Sequence, residues 1–93
     1  MIKKGNYVLQ NYMEEIVLEM MDDILSEMNV CKCDRCIIDV AGKALNDLPT
    51  KYFVTEKGKL YSKIDVLKNQ FEVDIITAIT KAAILVKRSP NHT

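Results

Sequence analysis

The spacing of apolar side chains along this chain predicts amphipathic helices. Glycine and proline are scarce, with three and two residues, so few positions interrupt a helical pattern. The first helix is expected from Tyr7 to Met28, with Asn6 as its N-cap. At about 100° per residue, its apolar side chains form one stripe. The stripe contains Leu9, Met13, Ile16, Val17, Met20, Met21, Ile24 and Met28.

Two further helices follow the same period. The second is expected from about Arg35 to Leu48, with Asp34 as its cap and Pro49 just beyond its end. The third is expected from Ser62, which opens a capping box, to about Arg88. The second helix would turn Ile37, Ala41, Ala44, Leu45 and Leu48 inward, and the third Ile64, Leu67, Phe71, Ile75, Ala78, Ile79, Ala82 and Val86.

The segment from Lys51 to Tyr61 has a different character. Residues 52–55 favour extended geometry, residues 56–59 resemble a turn, and Leu60 and Tyr61 return to apolar character. This pattern predicts a short hairpin or an irregular segment between the second and third helices. The expected fold class is therefore all-α, with three main helices in one domain of residues 1–93 and tails at 1–5 and 90–93.

The last helix is apolar on nearly every side between Ile75 and Val86. Val73 and Ile84 lie opposite its main stripe, and Lys81 is the one charge in that stretch. Twelve such residues are too few to span a bilayer, which needs about 20, so no membrane insertion is expected. Three helices cannot easily cover such a helix, and a second subunit is the expected cover. A chain of 93 residues also buries a modest share of its surface by itself.

Charge and cysteine content narrow the class of function. The 13 basic and 13 acidic side chains cancel, which argues against coating nucleic acid by bulk electrostatics. The charges are polarised, since the first helix is acidic and the middle of the chain is rich in lysine. The first residues lack the apolar core of a signal peptide, and three cysteines cannot all pair within one chain, so we expect a cytoplasmic protein.

Cys31, Cys33 and Cys36 form a C-x-C-x2-C cluster between the first two helices. Thiolates at this spacing can converge on one tetrahedral ion, and zinc suits sulfur ligands. Lys32 and Arg35 would help to keep the thiols deprotonated. The alternatives are apolar or free cysteines and thiol redox chemistry, although the βαβ context of a thioredoxin-like site is missing.

The fourth ligand can be argued from topology. A last helix of roughly 26 residues returns about 40 Å, which is enough to bring its end level with the cysteine cluster. His92, the single histidine, follows that end and would complete a Cys3His structural zinc site. Asp34 is a rival ligand, and a histidine in a tail can also be incidental.

The cysteine cluster and the residues that follow it resemble the ComFB family of bacterial late-competence proteins. The likeness rests on the cysteine motif, on Asp39-Val-Ala41, on Ala44-Leu-Asn-Asp-Leu-Pro49 with Tyr52, and on a closing Ser89-Pro-Asn-His92, and it covers residues 7 to 92. The resemblance implies a helical symmetric homodimer with a structural zinc held by three cysteines and a ligand near the C-terminus. Some members end with a cysteine there, where this chain has His92.

The resemblance also implies a link to DNA uptake, and some members are cyclic-dinucleotide receptors. A two-fold interface presents each side chain twice, which suits cyclic di-GMP or cyclic di-AMP. Lysines and rings for phosphate contact and stacking occur from residue 43 to 63. The candidate ligand residues are Lys43, Lys51, Tyr52, Lys57, Lys59, Tyr61 and Lys63.

Each of these ligand candidates has a simpler explanation in core packing or solvated turns. A regulatory or adaptor dimer is the expected function, and its alternative is a module that docks a DNA-uptake protein without nucleotide. Direct DNA binding is disfavoured by the charge balance. Catalysis is disfavoured because the sequence shows neither a P-loop nor an H-E-x-x-H motif, so we expect a protein that is not an enzyme.

Overall fold

The chain begins with a β-hairpin rather than with a helix. We describe residues 1–59 and 64–88 of the protein in a computed structural model. Strand β1 (Ile2–Lys4) pairs antiparallel with strand β2 (Tyr7–Asn11). Gly5 has a φ of +58° and Asn6 has a negative φ, the pattern of a type II′ turn. The expected tail at residues 1–5 and the expected helix start at Tyr7 are therefore replaced by a hairpin.

A third strand makes the all-α prediction wrong. Strand β3 (Tyr52–Glu56) pairs antiparallel with β2, which gives a three-stranded sheet in the order β1-β2-β3. The extended character expected at residues 52–55 is confirmed, but the strand pairs with β2, more than 40 residues earlier. Leu60 and Tyr61, the expected return of a hairpin, lie outside the described residues. Helical periodicity misled the prediction because Leu9 stands four residues before Met13, a spacing that also suits a helix.

Three helices complete the fold as expected in number and order. They are α1 (Tyr12–Ser26), α2 (Asp34–Asn46) and α3 (Ile64–Arg88). Helix α1 begins at Tyr12 because the buried Asn11 is its N-cap, whose side-chain oxygen accepts the N–H of Met13 at 3.2 Å. The expected cap at Asn6 is five residues too early.

Helix α3 packs against both α1 and α2, and the core lies between the three helices. The inward faces expected from periodicity are confirmed except at Leu9, which lies in strand β2; the other members are buried or partly buried against this core. The core also contains Cys36 and Val40, which the expected inward faces did not include. The most completely buried side chains include Met13, Ile16, Met21, Ile75 and Ile79.

The opposite side of α3 is exposed, as its sequence predicts. The side chains of Val66, Val73 and Ile84 are 60%, 75% and 42% exposed and lie in one line along the helix. Across residues 1–59 and 64–88, each helix falls short of the length or the apolar character that crossing a membrane requires.

Candidate metal centre

The three cysteines converge at the junction of α1 and α2. Their sulfur atoms all lie within 4.8 Å of one another, the one such cluster of metal-ligand side chains within residues 1–59 and 64–88. Cys31 and Cys33 are exposed, whereas Cys36 is buried. One of the three thiols therefore lies in the core, and the other two are accessible to solvent.

The start of helix α2 sets this arrangement. Cys33 is the N-cap residue, in place of the expected Asp34, and the N–H of Ile37 donates to the Cys33 carbonyl at 3.0 Å. Cys36 sits in the first helical turn, where its side chain folds back toward the cap. A C-x2-C pair that spans a helix N-terminus thus brings its sulfurs together through backbone geometry alone.

The local environment shifts the pKa values of the Cys33 and Cys36 thiols in opposite directions. Hydrogen bonds lower the pKa of Cys33, first from the backbone N–H of Cys36 and then from the thiols of Cys31 and Cys36. Burial, followed by its hydrogen bonds with Cys33 and Cys31, raises the pKa of Cys36 to about 12. A divalent cation would offset this burial cost because a metal-bound cysteine is held as thiolate.

The two basic residues of the motif point to other groups. The Lys32 ammonium donates to the carbonyls of Met28 at 3.1 Å and Val30 at 3.4 Å. The Arg35 guanidinium pairs with Asp39 at 3.5 Å. Lys32 thus binds carbonyls just beyond α1, and the causes of the lowered Cys33 pKa are hydrogen bonds rather than these charges.

The donor set fits a thiophilic metal ion. Ligands about 2.3 Å from a tetrahedral zinc are about 3.8 Å apart, and the three sulfurs, within 4.8 Å of one another, approach that spacing. The end of α3 comes close to the cluster, as the topological argument predicts. A cavity of about 440 Å³ is lined by Cys31 and Cys36 together with Ala83, Val86 and Lys87 of α3. His92 lies outside the described residues.

The candidate ligand residues of the middle segment lie in different parts of the structure. Lys57 and Lys59 line one cavity beside the sheet. Lys51, at the other end of β3, places its ammonium 4.9 Å from the ring centroid of Phe71. Tyr52 is 53% exposed on the opposite sheet face from Lys51, and Lys43 is exposed in the last turn of α2. Tyr61 and Lys63 lie outside the described residues.

Three residues that sequence reasoning missed share the cavity of Lys57 and Lys59. They are Lys3, Gln10 and Thr55. Lys3 was missed because residues 1–5 were interpreted as a tail. The available signal was Gly5-Asn6 between two short runs with extended character, which is typical of a two-residue hairpin turn.

Comparison with known proteins identifies the family of this chain. Residues 10–90 match the family model described as late competence development protein ComFB. The competence protein ComFB of Bacillus subtilis (strain 168) is 25% identical over 85 residues, which span 90% of this chain and 87% of that protein. A solved structure from a structural characterization of the late competence protein ComFB from Bacillus subtilis has a TM-score of 0.72 and 22% identity over 90% of this chain and 96% of that one, so the fold is shared. The chain belongs to the ComFB family of late competence development proteins.

Proposed function

We propose that this chain is a zinc-stabilised, homodimeric adaptor of the competence system that acts by binding and not by catalysis. The observation that carries the proposal is the convergence of Cys31, Cys33 and Cys36 in a chain of the ComFB family. In this proposal the protein works in the cytoplasm and docks a component of the DNA-uptake apparatus. Direct DNA contact has little support, since the formal net charge is zero and α1 has no basic residue.

Zinc is the metal that the three thiols favour, because it is borderline-soft and structural zinc sites are commonly built from cysteine and histidine. We assign the fourth position to His92. Support comes from α3, whose last described residue, Arg88, is four positions before His92 and whose final turns line the cavity next to Cys31 and Cys36. Bound zinc would join the α1–α2 connection to the C-terminal end and would stabilise the folded chain directly.

Metal analysis of the purified protein tests this site. We expect about one zinc per chain in the wild type and in Lys32→Ala, whose side chain lies within the motif but binds carbonyl oxygens. Cys33→Ser should lose the zinc. His92→Ala should retain it with lower affinity, because three thiolates remain. Wild-type protein that contains no zinc after expression in zinc-supplemented medium would contradict the proposal.

The exposed line of Val66, Val73 and Ile84 supports a two-fold dimer through α3. These exposed apolar side chains share one helix face, and a two-fold axis across it lets each copy cover the other. A groove of about 510 Å³ lies beside the line, between α1 and α3, with Ile24, Met28 and Ile76 among its lining residues. In the dimer, α3 of the partner would contact apolar side chains both along this line and in the groove.

Cyclic-dinucleotide binding is a second candidate function. It is supported by Lys57 and Lys59, which share a cavity able to receive one phosphate of such a ligand. In this proposal the remaining candidates, Lys43, Lys51, Tyr52, Tyr61 and Lys63, contact the rest of the ligand across the dimer.

Calorimetry with cyclic di-GMP and with cyclic di-AMP tests this second function, with Lys57→Ala as the variant and Lys32→Ala as the control. If titration with either nucleotide gives binding heat, and Lys57→Ala reduces that heat, the result would support nucleotide binding. Absence of heat with both nucleotides would instead favour a nucleotide-independent docking module. Pull-down of competence proteins with and without nucleotide then distinguishes the two roles.

A further inference from the structure

A small cavity with three lysines in its lining opens on one face of the sheet, and it shares no lining residue with the cavity at the cysteine cluster. Its volume is about 220 Å³, and its lining includes Lys3, Val8, Gln10, Thr55, Lys57 and Lys59. Pockets that enclose drug-sized ligands span about 300–1,000 Å³. This cavity therefore suits a single small group rather than a whole nucleotide.

The sheet register places these residues on one face. Lys3 pairs with Val8, and Val8 pairs with Thr55, so the three side chains stand side by side. Gln10, two residues after Val8, projects from the same face. The buried Val8 provides an apolar floor, and the Thr55 hydroxyl lies beside it. The Gln10 side chain also lines the cavity, and its amide nitrogen donates to the Glu15 carboxylate.

A tight turn sets the position of the other two lysines. The N–H of Lys59 donates to the Glu56 carbonyl at 3.0 Å, and Gly58 has a φ of +85°, as a type II turn requires. The N–H of Lys57 donates to the Asn6 carbonyl at 2.7 Å, which ties this turn to the β1–β2 turn. The backbone thus holds Lys57 close to the hairpin that carries Lys3.

The cavity carries an excess of positive charge. Lys59 pairs with the Glu56 carboxylate at 3.1 Å, and this is the one acidic side chain in the lining. Lys3 and Lys57 have no ion pair within residues 1–59 and 64–88. Three lysines against Glu56 and the Glu15 carboxylate that Gln10 binds leave a net charge of +1, which favours an anion.

We propose that this cavity binds the phosphate group of a small phosphate-bearing anion, and that Lys3 of strand β1 is one of its ligands. Lysine binds phosphate as a point charge, and the Thr55 hydroxyl adds a hydrogen-bond donor. Lys3 lies before residues 10–90, the part that matches the family model. The site shares Lys57 and Lys59 with the proposed nucleotide function and is tested without nucleotides, so either can fail alone.

The test is a titration of the isotope-labelled full chain with inorganic phosphate, followed by amide NMR at constant ionic strength with chloride as the reference anion. We expect saturable shifts confined to residues 2–10 and 55–59. Lys3→Gln should weaken binding about fivefold, as expected for the loss of one exposed ion pair. Lys4→Gln is the matched control, because Lys4 follows Lys3 in the same strand and projects from the other face.

The spectra also report whether each variant keeps the fold, since amide positions far from the hairpin should not move. Absence of saturable shifts with phosphate would overturn the proposal. Equal weakening by Lys3→Gln and Lys4→Gln would also overturn it, because that result indicates general electrostatic attraction rather than a site. A calorimetric failure of both cyclic dinucleotides, with phosphate shifts retained, would leave this inference standing and remove only the nucleotide function.

Discussion

The side chain of Asn11 and the backbone of Lys51 join the two halves of the fold. The Asn11 side-chain oxygen accepts the N–H of Lys51 at 2.8 Å and the N–H of Met13 at 3.2 Å. The Lys51 carbonyl in turn accepts the N–H of Tyr12 at 2.8 Å. The buried Asn11 side chain therefore lies at the end of β2, caps α1 and aligns the start of β3. It connects the sheet to the helical core at one position.

Replacement of Asn11 should destabilise the protein strongly. Asn11→Ala leaves two backbone N–H groups without their acceptor, and we expect the free energy of unfolding to fall by about 2 kcal/mol in urea denaturation. Asn11→Asp keeps an acceptor oxygen at the helix N-terminus and should lose less. Asn6→Ala, in the exposed hairpin turn, is the control and should stay within about 0.5 kcal/mol of wild type. Equal losses at positions 6 and 11 would contradict this role.

Two glycines with open space around them should respond oppositely to alanine. Gly5 has a φ of +58°, so Gly5→Ala strains the turn and should lower stability by about 1 kcal/mol although no atom obstructs its Cβ. Gly42 lies inside α2 with equally open surroundings, and Gly42→Ala should raise stability by about 0.5–1 kcal/mol. Thermal unfolding of both variants measures the difference. A stabilised Gly5→Ala would show that the II′ turn does not form.

Charge at the exposed line of α3 should separate the subunits of the proposed dimer. Val73→Glu places a carboxylate on the side chain that is 75% exposed in one chain, and we expect sedimentation to report a monomer. Val54→Glu is matched, because Val54 is 64% exposed on the sheet, away from this line, and should leave the mass unchanged. If both variants keep the wild-type mass, α3 is not the interface.

Removal of the proposed zinc should lower stability in the wild type alone. At a metal concentration about 1,000 times the dissociation constant, binding contributes about 4 kcal/mol to folding. A chelator should therefore shift the urea midpoint of the wild type to lower concentration, whereas Cys33→Ser should already unfold early and not respond. An unchanged wild-type midpoint after verified metal removal would mean that the cluster does not stabilise the fold.

Local patterns account for much of the fold. Apolar positions at helical spacing determined which faces of α1, α2 and α3 are buried, because a helix must cover one stripe whatever its neighbours are. The C-x-C-x2-C spacing likewise predicted converging sulfurs, since all three lie within six residues. The exposed positions of Val73 and Ile84 also follow from the period alone. The family resemblance drew on the same local motifs.

The tertiary structure decided what depends on residues far apart in the chain. Tyr7–Asn11 fits either a helix turn or a strand, and it becomes a strand because Tyr52–Glu56 offers backbone partners along its whole length. The same pairing moves the helix cap from Asn6 to Asn11, whose buried oxygen needs the N–H of Lys51. It also brings Lys3 to Lys57 and Lys59. Hydrogen bonds between distant segments leave no local period, so the helices and the cysteine cluster could be predicted from sequence, whereas the pairing of β2 with β3 and the lysine cavity that it forms could not.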